Sequence, residues 1–290
     1  MINFEQIKIL QGLLLETSLA NKYDNVKSLD EVEFSVFSQF GQDGIIAFLT
    51  NKLNDYIDNK YFIEIGVENY YESNTRYLLM TKNWSGLVID ADASYVKQIT
   101  NSYYYWKYDL KAVCSFVSRE NISEILVNNL PKGVNRVGLL SIDIDGNDFY
   151  ILDSIPIKSD ILIIEYNSLF GFDRAVVIPY DPHFRRYQVN HTGAYFGASL
   201  KAIVMKAEEK GYYFLGTTSA GNDAIFIDKR YADIFSSITP KASPLKIKFP
   251  SIKYSGRMYT INEAIEEIKD LPVLDLQTGQ IIKIAELYGL

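Results

Sequence analysis

The chain has 290 residues, 48% of them hydrophobic and 22% charged, which is enough to bury one sizeable core with extensions. Its 29 basic and 36 acidic residues leave a net charge of -7 without a basic cluster, so nucleic acid is a poor partner. Apolar runs such as Leu13–Leu15 and Ile161–Ile164 are too short to span a membrane, Glu5 and Glu16 interrupt the amino terminus where a secretory signal would lie, and the lone Cys114 excludes an internal disulfide. The expected compartment is the cytoplasm.

Phe4, Ile7, Leu10 and Leu14 recur at helical spacing and predict a helix over residues 3–19, within an extension spanning residues 1–35 that packs on the body or joins two copies in a homo-oligomer. From Ser38 the pattern alternates. A helix through Ile45, Ile46, Leu49 and Leu53 leads to strand Tyr61–Ile65, then to a helix from Ser73 to Lys82 capped by Ser73 or Asn74. Strand Gly86–Ile89, a helix at Ala93–Thr100, an aromatic strand at Tyr103–Tyr108 and a helix at Ile122–Asn129 follow, the last with Asn121 and Glu124 set as a capping box. The near-continuous apolar runs Val137–Ile142 and Ile161–Tyr166 read as strands buried on both faces of a parallel sheet. A long connection, Ser168–Gly197, leads to helix Ala198–Lys210, which Gly211 ends, and strands Tyr212–Gly216 and Ala224–Ile227 close the sheet. The fold class is therefore α/β, a doubly wound Rossmann-like sheet over residues 36–232. A small accessory segment, 233–290, follows, with Pro240, Pro244 and Pro250 in a basic stretch and a helix at Ile261–Lys269.

Doubly wound sheets bind ligands at the carboxyl ends of their strands. Glu64, Asp90, Asp143 and Glu165 fall at or next to such ends, and Asp109 lies just past the predicted aromatic strand. A row of acids there suits a ligand with positive charge and hydroxyl groups. The turn Glu64-Ile65-Gly66-Val67-Glu68-Asn69 lacks the further glycines of a dinucleotide site, and Glu68 would repel a phosphate. S-adenosylmethionine has no phosphate and carries a sulfonium and an ammonium, so it fits better, with Asp90 accepting the ribose hydroxyls. Two other classes stay open: a nicotinamide-dependent oxidoreductase, and a non-catalytic binding protein on an enzyme fold.

Phe62-Ile63-Glu64-Ile65-Gly66, Glu72-Ser73-Asn74-Thr75 and Trp84-Ser85-Gly86-Leu87-Val88-Ile89-Asp90 together resemble the cofactor half of FkbM-like methyltransferases. So does Ser38-Gln39-Phe40-Gly41-Gln42-Asp43-Gly44 upstream. Downstream, Leu140 to Asp148, Ile164 to Ser168, Tyr180-Asp181-Pro182 and Tyr195 to Leu200 continue the likeness in order. The first loop departs from the many methyltransferases that carry two or three glycines there. The resemblance implies a class I methyltransferase fold acting on oxygen, on acceptors from macrolides to surface-glycan sugars. It also implies cofactor contacts at Glu64, Gly66, Asn74 and Asp90, with Gln39, Gln42 and Asp43 closing over the site.

The run Asp143-Ile144-Asp145-Gly146-Asn147-Asp148 looks like half of a calcium loop, but Ile151 and Leu152 follow and the terminal glutamate is missing. Three readings compete for it. A divalent cation such as Mg, held by Asp143, Asp145, Asp148 and Glu165, would acidify the acceptor hydroxyl. Alternatively, Asp143 or Asp145 serves as a general base, or the acids simply cap the next helix. His183 and His191 are further candidates for the base. The long connection is the expected acceptor site. It offers Tyr180, Asp181 and Tyr195 to a small-molecule sugar or glycan precursor, and Arg185 and Arg186 to a phosphate on it.

Overall fold

A computed structural model describes residues 4–244, 249–251 and 257–289; part of the proline-bearing basic stretch lies outside them. The strands run β1 Tyr61–Ile65, β2 Ser85–Asp90, β3 Leu110–Cys114, β4 Arg136–Ile142, β5 Lys158–Glu165, β6 Val176–Val177, β7 Tyr212–Thr217 and β8 Asp223–Asp228, then β9 Phe249–Ser251, β10 Arg257–Tyr259, β11 Pro272–Asp275 and β12 Ile281–Lys283. The helices are α1 Phe4–Ala20, α2 Gln42–Lys52, α3 Arg76–Lys82, α4 Ala93–Thr100, α5 Tyr103–Lys107, α6 Ile122–Asn129, α7 Asp148–Ser154, α8 Arg186–Val189, α9 Leu200–Glu209, α10 Ile261–Ile268 and α11 Ala285–Tyr288.

Seven strands form the main sheet in the order β3-β2-β1-β4-β5-β8-β7. β1 to β5 pair in parallel, while β8 is antiparallel to both neighbours. This is the class I methyltransferase arrangement that the resemblance implies. Alternate side chains serve two cores: Ile63 and Ile65 of β1 pack on one face, Phe62 on the other. Burial on both faces explains why β4 and β5 read as near-continuous apolar runs. The order reverses between β1 and β4, which opens a crevice at their carboxyl ends.

Two sequence expectations change here. The aromatic run Tyr103–Lys107 is helical, and the third strand follows it at Leu110–Cys114, in register with Gly86–Asp90. β-propensity gave way to tertiary contacts, with Tyr104 packing at a tilt against Tyr70 and under the Arg76 guanidinium. The apolar stripe of α1 faces outward, leaving Phe4, Leu10 and Leu14 exposed. The helix docks through Ile9, Gly12 and Leu19, and through polar groups. Glu16 pairs with Lys82 at 2.6 Å and accepts from the Tyr77 hydroxyl at 3.0 Å, and Glu5 pairs with the buried Arg76 at 2.7 Å.

The accessory segment folds together with the long connection. β11 pairs with β12 on one side and β6 on the other. Leu169, Phe170, Val176 and Tyr195 share a core with Ala264, Ile268, Val273 and Ile284. No helix among the described residues is long and apolar enough to cross a membrane.

Ser199 fastens this second layer to the main sheet. Its Oγ accepts from Ala202 N–H at 3.3 Å, capping α9, and from Val176 N–H at 3.1 Å, while its hydroxyl donates to Arg174 O at 2.7 Å. Ser199→Ala should therefore cost about 1–2 kcal/mol, seen as a thermal midpoint lower by several degrees. An unchanged midpoint would show that these bonds do not matter.

Candidate functional site

The strand ends enclose a cavity of about 420 Å³ at the carboxyl edge, within the roughly 300–1,000 Å³ typical of small-molecule sites. Its floor is the crossing of the loops after β1 and β4. Gly66 N–H donates to Ile89 O and Asp143 N–H to Ile65 O, both at 2.9 Å. Gly66 sits at φ +83°, and a Cβ there would come within 1.6 Å of the Asp143 carbonyl oxygen. Only glycine allows the two backbones to pass so closely.

Asp90 ends β2 and organises the same loop. Its Oδ2 accepts from Val67 N–H at 3.1 Å and Glu68 N–H at 2.7 Å, and its Oδ1 from Asp92 N–H at 2.8 Å. The carboxylate stays partly exposed and lines the cavity. Glu64 is 4% exposed and accepts from Ser73 Oγ at 2.8 Å, Asn74 N–H at 2.8 Å, Thr75 N–H at 3.1 Å and Thr75 Oγ1 at 2.5 Å. Those donors occupy its oxygens, so its direct work is to shape the loop before α3. Asn74 faces the cavity, and its Nδ2 donates to Ser141 Oγ at 3.1 Å.

Gln39 and Gln42 line the opposite wall, with Gln42 donating to Asp223. Asp43 does not line the cavity. Its Oδ2 collects the N–H groups of Val36, Phe37 and Ser38 at 2.7 to 2.8 Å, so it holds the preceding loop. Asp109 is corrected as well: it precedes β3, which puts it at the amino edge, away from the cavity, and Ser115, Phe116 and Val117 stand where it was expected.

In the Asp143–Asp148 turn the acids divide. Asp148 is fully buried, and its two oxygens accept from Ile144 N–H at 2.8 Å and Gly146 N–H at 3.0 Å. It is a turn-forming cap and is struck from the expected metal ligands. Asp143, Asp145 and Glu165 bring their carboxylate oxygens within 4.8 Å of one another. Asp145 sits in the left-handed region at φ +58°, a conformation that aspartate tolerates better than most residues. Burial first, then the neighbouring carboxylates, pushes Asp143 and Glu165 well above the usual carboxylate range. Arg186 lies against the group, paired with Asp145 and 3.7 Å from Glu165. It is the one basic side chain lining the cavity among the described residues.

Most of the expected acceptor residues lie elsewhere. His183 is exposed, and His191 meets Tyr259 Oη at 3.2 Å; neither lines the cavity. Tyr180 donates to Glu120 beneath the Arg119 guanidinium, Asp181 accepts from His183 N–H at 2.9 Å, and Tyr195 donates to Pro272 O at 2.5 Å. Arg185 stacks 3.8 Å over Phe116 from outside. Of the long connection, Phe184, Arg186 and Tyr187 reach the cavity. Leu169, Phe170, Val176, Ile178, Tyr195 and Phe196 pack into the core shared with the accessory segment.

Sequence reasoning missed Asp223, Asn222, Phe116 and Asn147, which also line the cavity. For Asp223 the signal was present. The link between β7 and β8 is too short for a parallel crossover, so β8 must run antiparallel and begin at the cavity edge.

No family model matches this sequence, and no curated protein matches it. The fold is similar to the N-terminal domain of EvdMO1 with SAH bound, at 10% identity and TM-score 0.43, covering 79% of this chain and 97% of that one. It is also similar to the O-methyltransferase from Bacillus cereus in complex with SAH, at 13% identity and TM-score 0.41, covering 76% and 89%. The [4+2]-cyclase SpnF matches at 11% identity and TM-score 0.39, covering 80% and 81%. A fold by itself does not fix a reaction, and the functional reading rests on the site.

Asp223 is 2% exposed, and burial pushes it from its ordinary 3.8 up to about 6. A carboxyl with a higher pKa folded than unfolded adds stability that is complete below about pH 4 and is lost as pH rises through about 6. With chelator present, Asp223→Asn should lose less stability than the parent between those limits. Denaturant unfolding across the range measures this, and equal losses in the two proteins would show that Asp223 does not titrate there.

Proposed function

We propose that this chain is an S-adenosylmethionine-dependent O-methyltransferase of the FkbM-like group, acting on a hydroxyl of a sugar or surface-glycan precursor with a divalent cation assisting. The observation that carries this is convergence. Gln39 and Gln42, Glu64 and Gly66, Asn74, Asp90, Asp143 and Glu165 come from separate motifs of the resemblance, and all line one cavity.

The donor set fits the cofactor. Acids predominate along the cavity, which suits a ligand bearing a sulfonium and an ammonium and would repel a pyrophosphate. Asp90 has the position and partial exposure to accept ribose hydroxyls. Phe116 and Val117, past β3, offer apolar faces to the base. Bound there, the cofactor supplies an electrophilic methyl group. The chain's task is then to hold an acceptor oxygen in line with it and to exclude water.

The acceptor side lies toward Asp143, Asp145 and Glu165. A hard cation prefers oxygen ligands of this kind, and one held there would lower the pKa of an acceptor hydroxyl. Phe184 provides a ring surface for a sugar. A phosphate on the acceptor drops out of the proposal, because Arg186 is already paired with acids and Arg185 lies outside the cavity.

Two measurements test the reading. Charged hydrogen bonds contribute about 1.5–3 kcal/mol each, so Asp90→Ala should weaken S-adenosylmethionine binding at least tenfold by calorimetry while the protein stays folded. Unchanged affinity would overturn the cofactor placement. Methyl transfer to a glycan-precursor extract should stop after exhaustive chelation and return with Mg²⁺. Full turnover by the stripped enzyme would remove the cation and leave a carboxylate as general base.

A further inference from the structure

Arg186 belongs to α8, outside the main sheet, yet its guanidinium reaches the strand edge. It pairs with Asp145, lies 3.7 Å from Glu165, donates to the Gly193 carbonyl at 2.5 Å and rests 3.6 Å over the Phe196 ring. Its side chain is only 14% exposed. The acids it faces are those that, with Asp143, gather their oxygens within 4.8 Å.

Two buried acceptor atoms of the cavity-lining residues have no hydrogen-bond partner. One is Glu165 Oε2, and the other is Oδ1 of Asn147, a cavity-lining residue 3% exposed. A buried acceptor without a partner is costly. The guanidinium has donors to give, but two of its contacts go to Asp145 and a backbone carbonyl. Its single charge also faces a group of acids. A divalent cation would bring twice the charge and a larger coordination number to the same carboxylates.

From this we infer that Arg186 and a divalent cation are alternative occupants of the Asp143–Asp145–Glu165 group, and that cation entry frees the α8 segment from the cavity mouth. The inference rests on the cation part of the proposed function and adds its regulation. Both occupants draw on the same carboxylates, and like charges at such spacing repel strongly in a half-dry site. One must leave when the other arrives. Phe184 stays anchored over Gly146, where a Cβ would already lie 2.4 Å from the ring. The part that loosens is thus the stretch from Arg185 to Gly193, and it carries Tyr187 away from the cavity wall. In the cation-free protein the ion pair holds this stretch closed.

The test uses the full chain, stripped with chelator, and Mg²⁺ alone as the probe. Arg186→Gln removes the competing charge and should bind Mg²⁺ about tenfold more tightly than wild type, since one ion pair no longer has to break. In wild type, Mg²⁺ should speed tryptic cleavage after the exposed Arg185 severalfold. That second measurement needs no variant and decides the matter if Arg186→Gln fails to fold. Equal Mg²⁺ affinity in the two proteins, or no binding by either, overturns the shared site. Cleavage at Arg185 that ignores Mg²⁺ overturns the release. Neither readout involves S-adenosylmethionine, so failure of the methyltransferase reading would appear separately, as absent cofactor binding.

Discussion

Carboxylates of like sign do not gather in a half-buried cavity unless something takes up their charge, and the carboxyl edge of this sheet is organised around that constraint. Acids stand at or next to the ends of β1, β2, β4 and β5 and at the start of β8. Each is met differently. Glu64 takes four loop donors, Asp90 three and Asp148 two, and Asp145 and Glu165 lean on Arg186. Asp143 and Asp223 are held toward their neutral forms by burial. What distinguishes one acid's role from another's is therefore how its charge is met and whether it stays open to the cavity, as Asp90 does and the fully buried Asp148 does not. The less satisfied an acid is, the more it has to offer a ligand.

The same accounting explains the loops. The turn after β1 is glycine-poor, with Glu68 at φ +46° and Tyr70 at φ +63°, conformations that cost energy for residues with side chains. Asp90 offsets part of that cost by accepting two N–H groups from the turn, and Glu64 ties down the next stretch from inside the sheet. Carboxylates thus do for this loop what extra glycines and a phosphate do in a nucleotide site. The loop cannot serve both purposes. Its acids suit a cationic ligand and exclude an anionic one.

The accessory segment completes the long connection after β5. β6 is only two residues long and could not stand as an isolated strand. It persists because β11 pairs with it and because α10 and β11 bury Phe170 and Tyr195. That packing draws Tyr195 and His191 away from the cavity and leaves α8 as the part of the connection that reaches back over it. Residues well beyond the doubly wound sheet therefore decide which side chains face the ligand.

Local pattern carried the sheet and the acids of its edge. Near-continuous apolar runs at Val137–Ile142 and Ile161–Tyr166 read as doubly buried strands, and Gly66, Asp90 and Asp143 follow directly from where the strands stop. Such residues are legible because their position depends on a few neighbours in the chain. Pairings made across long stretches of sequence were not legible. Tyr103–Lys107 became a helix through contacts with Tyr70 and Arg76, which moved Asp109 to the wrong edge for a ligand. Arg186 met Asp145, His191 met Tyr259, and Asp223 entered the cavity through an antiparallel strand. A side chain's charge can be read from its letter, but whether that charge is already spent depends on which distant donors the fold brings to it. Only the tertiary structure decides that.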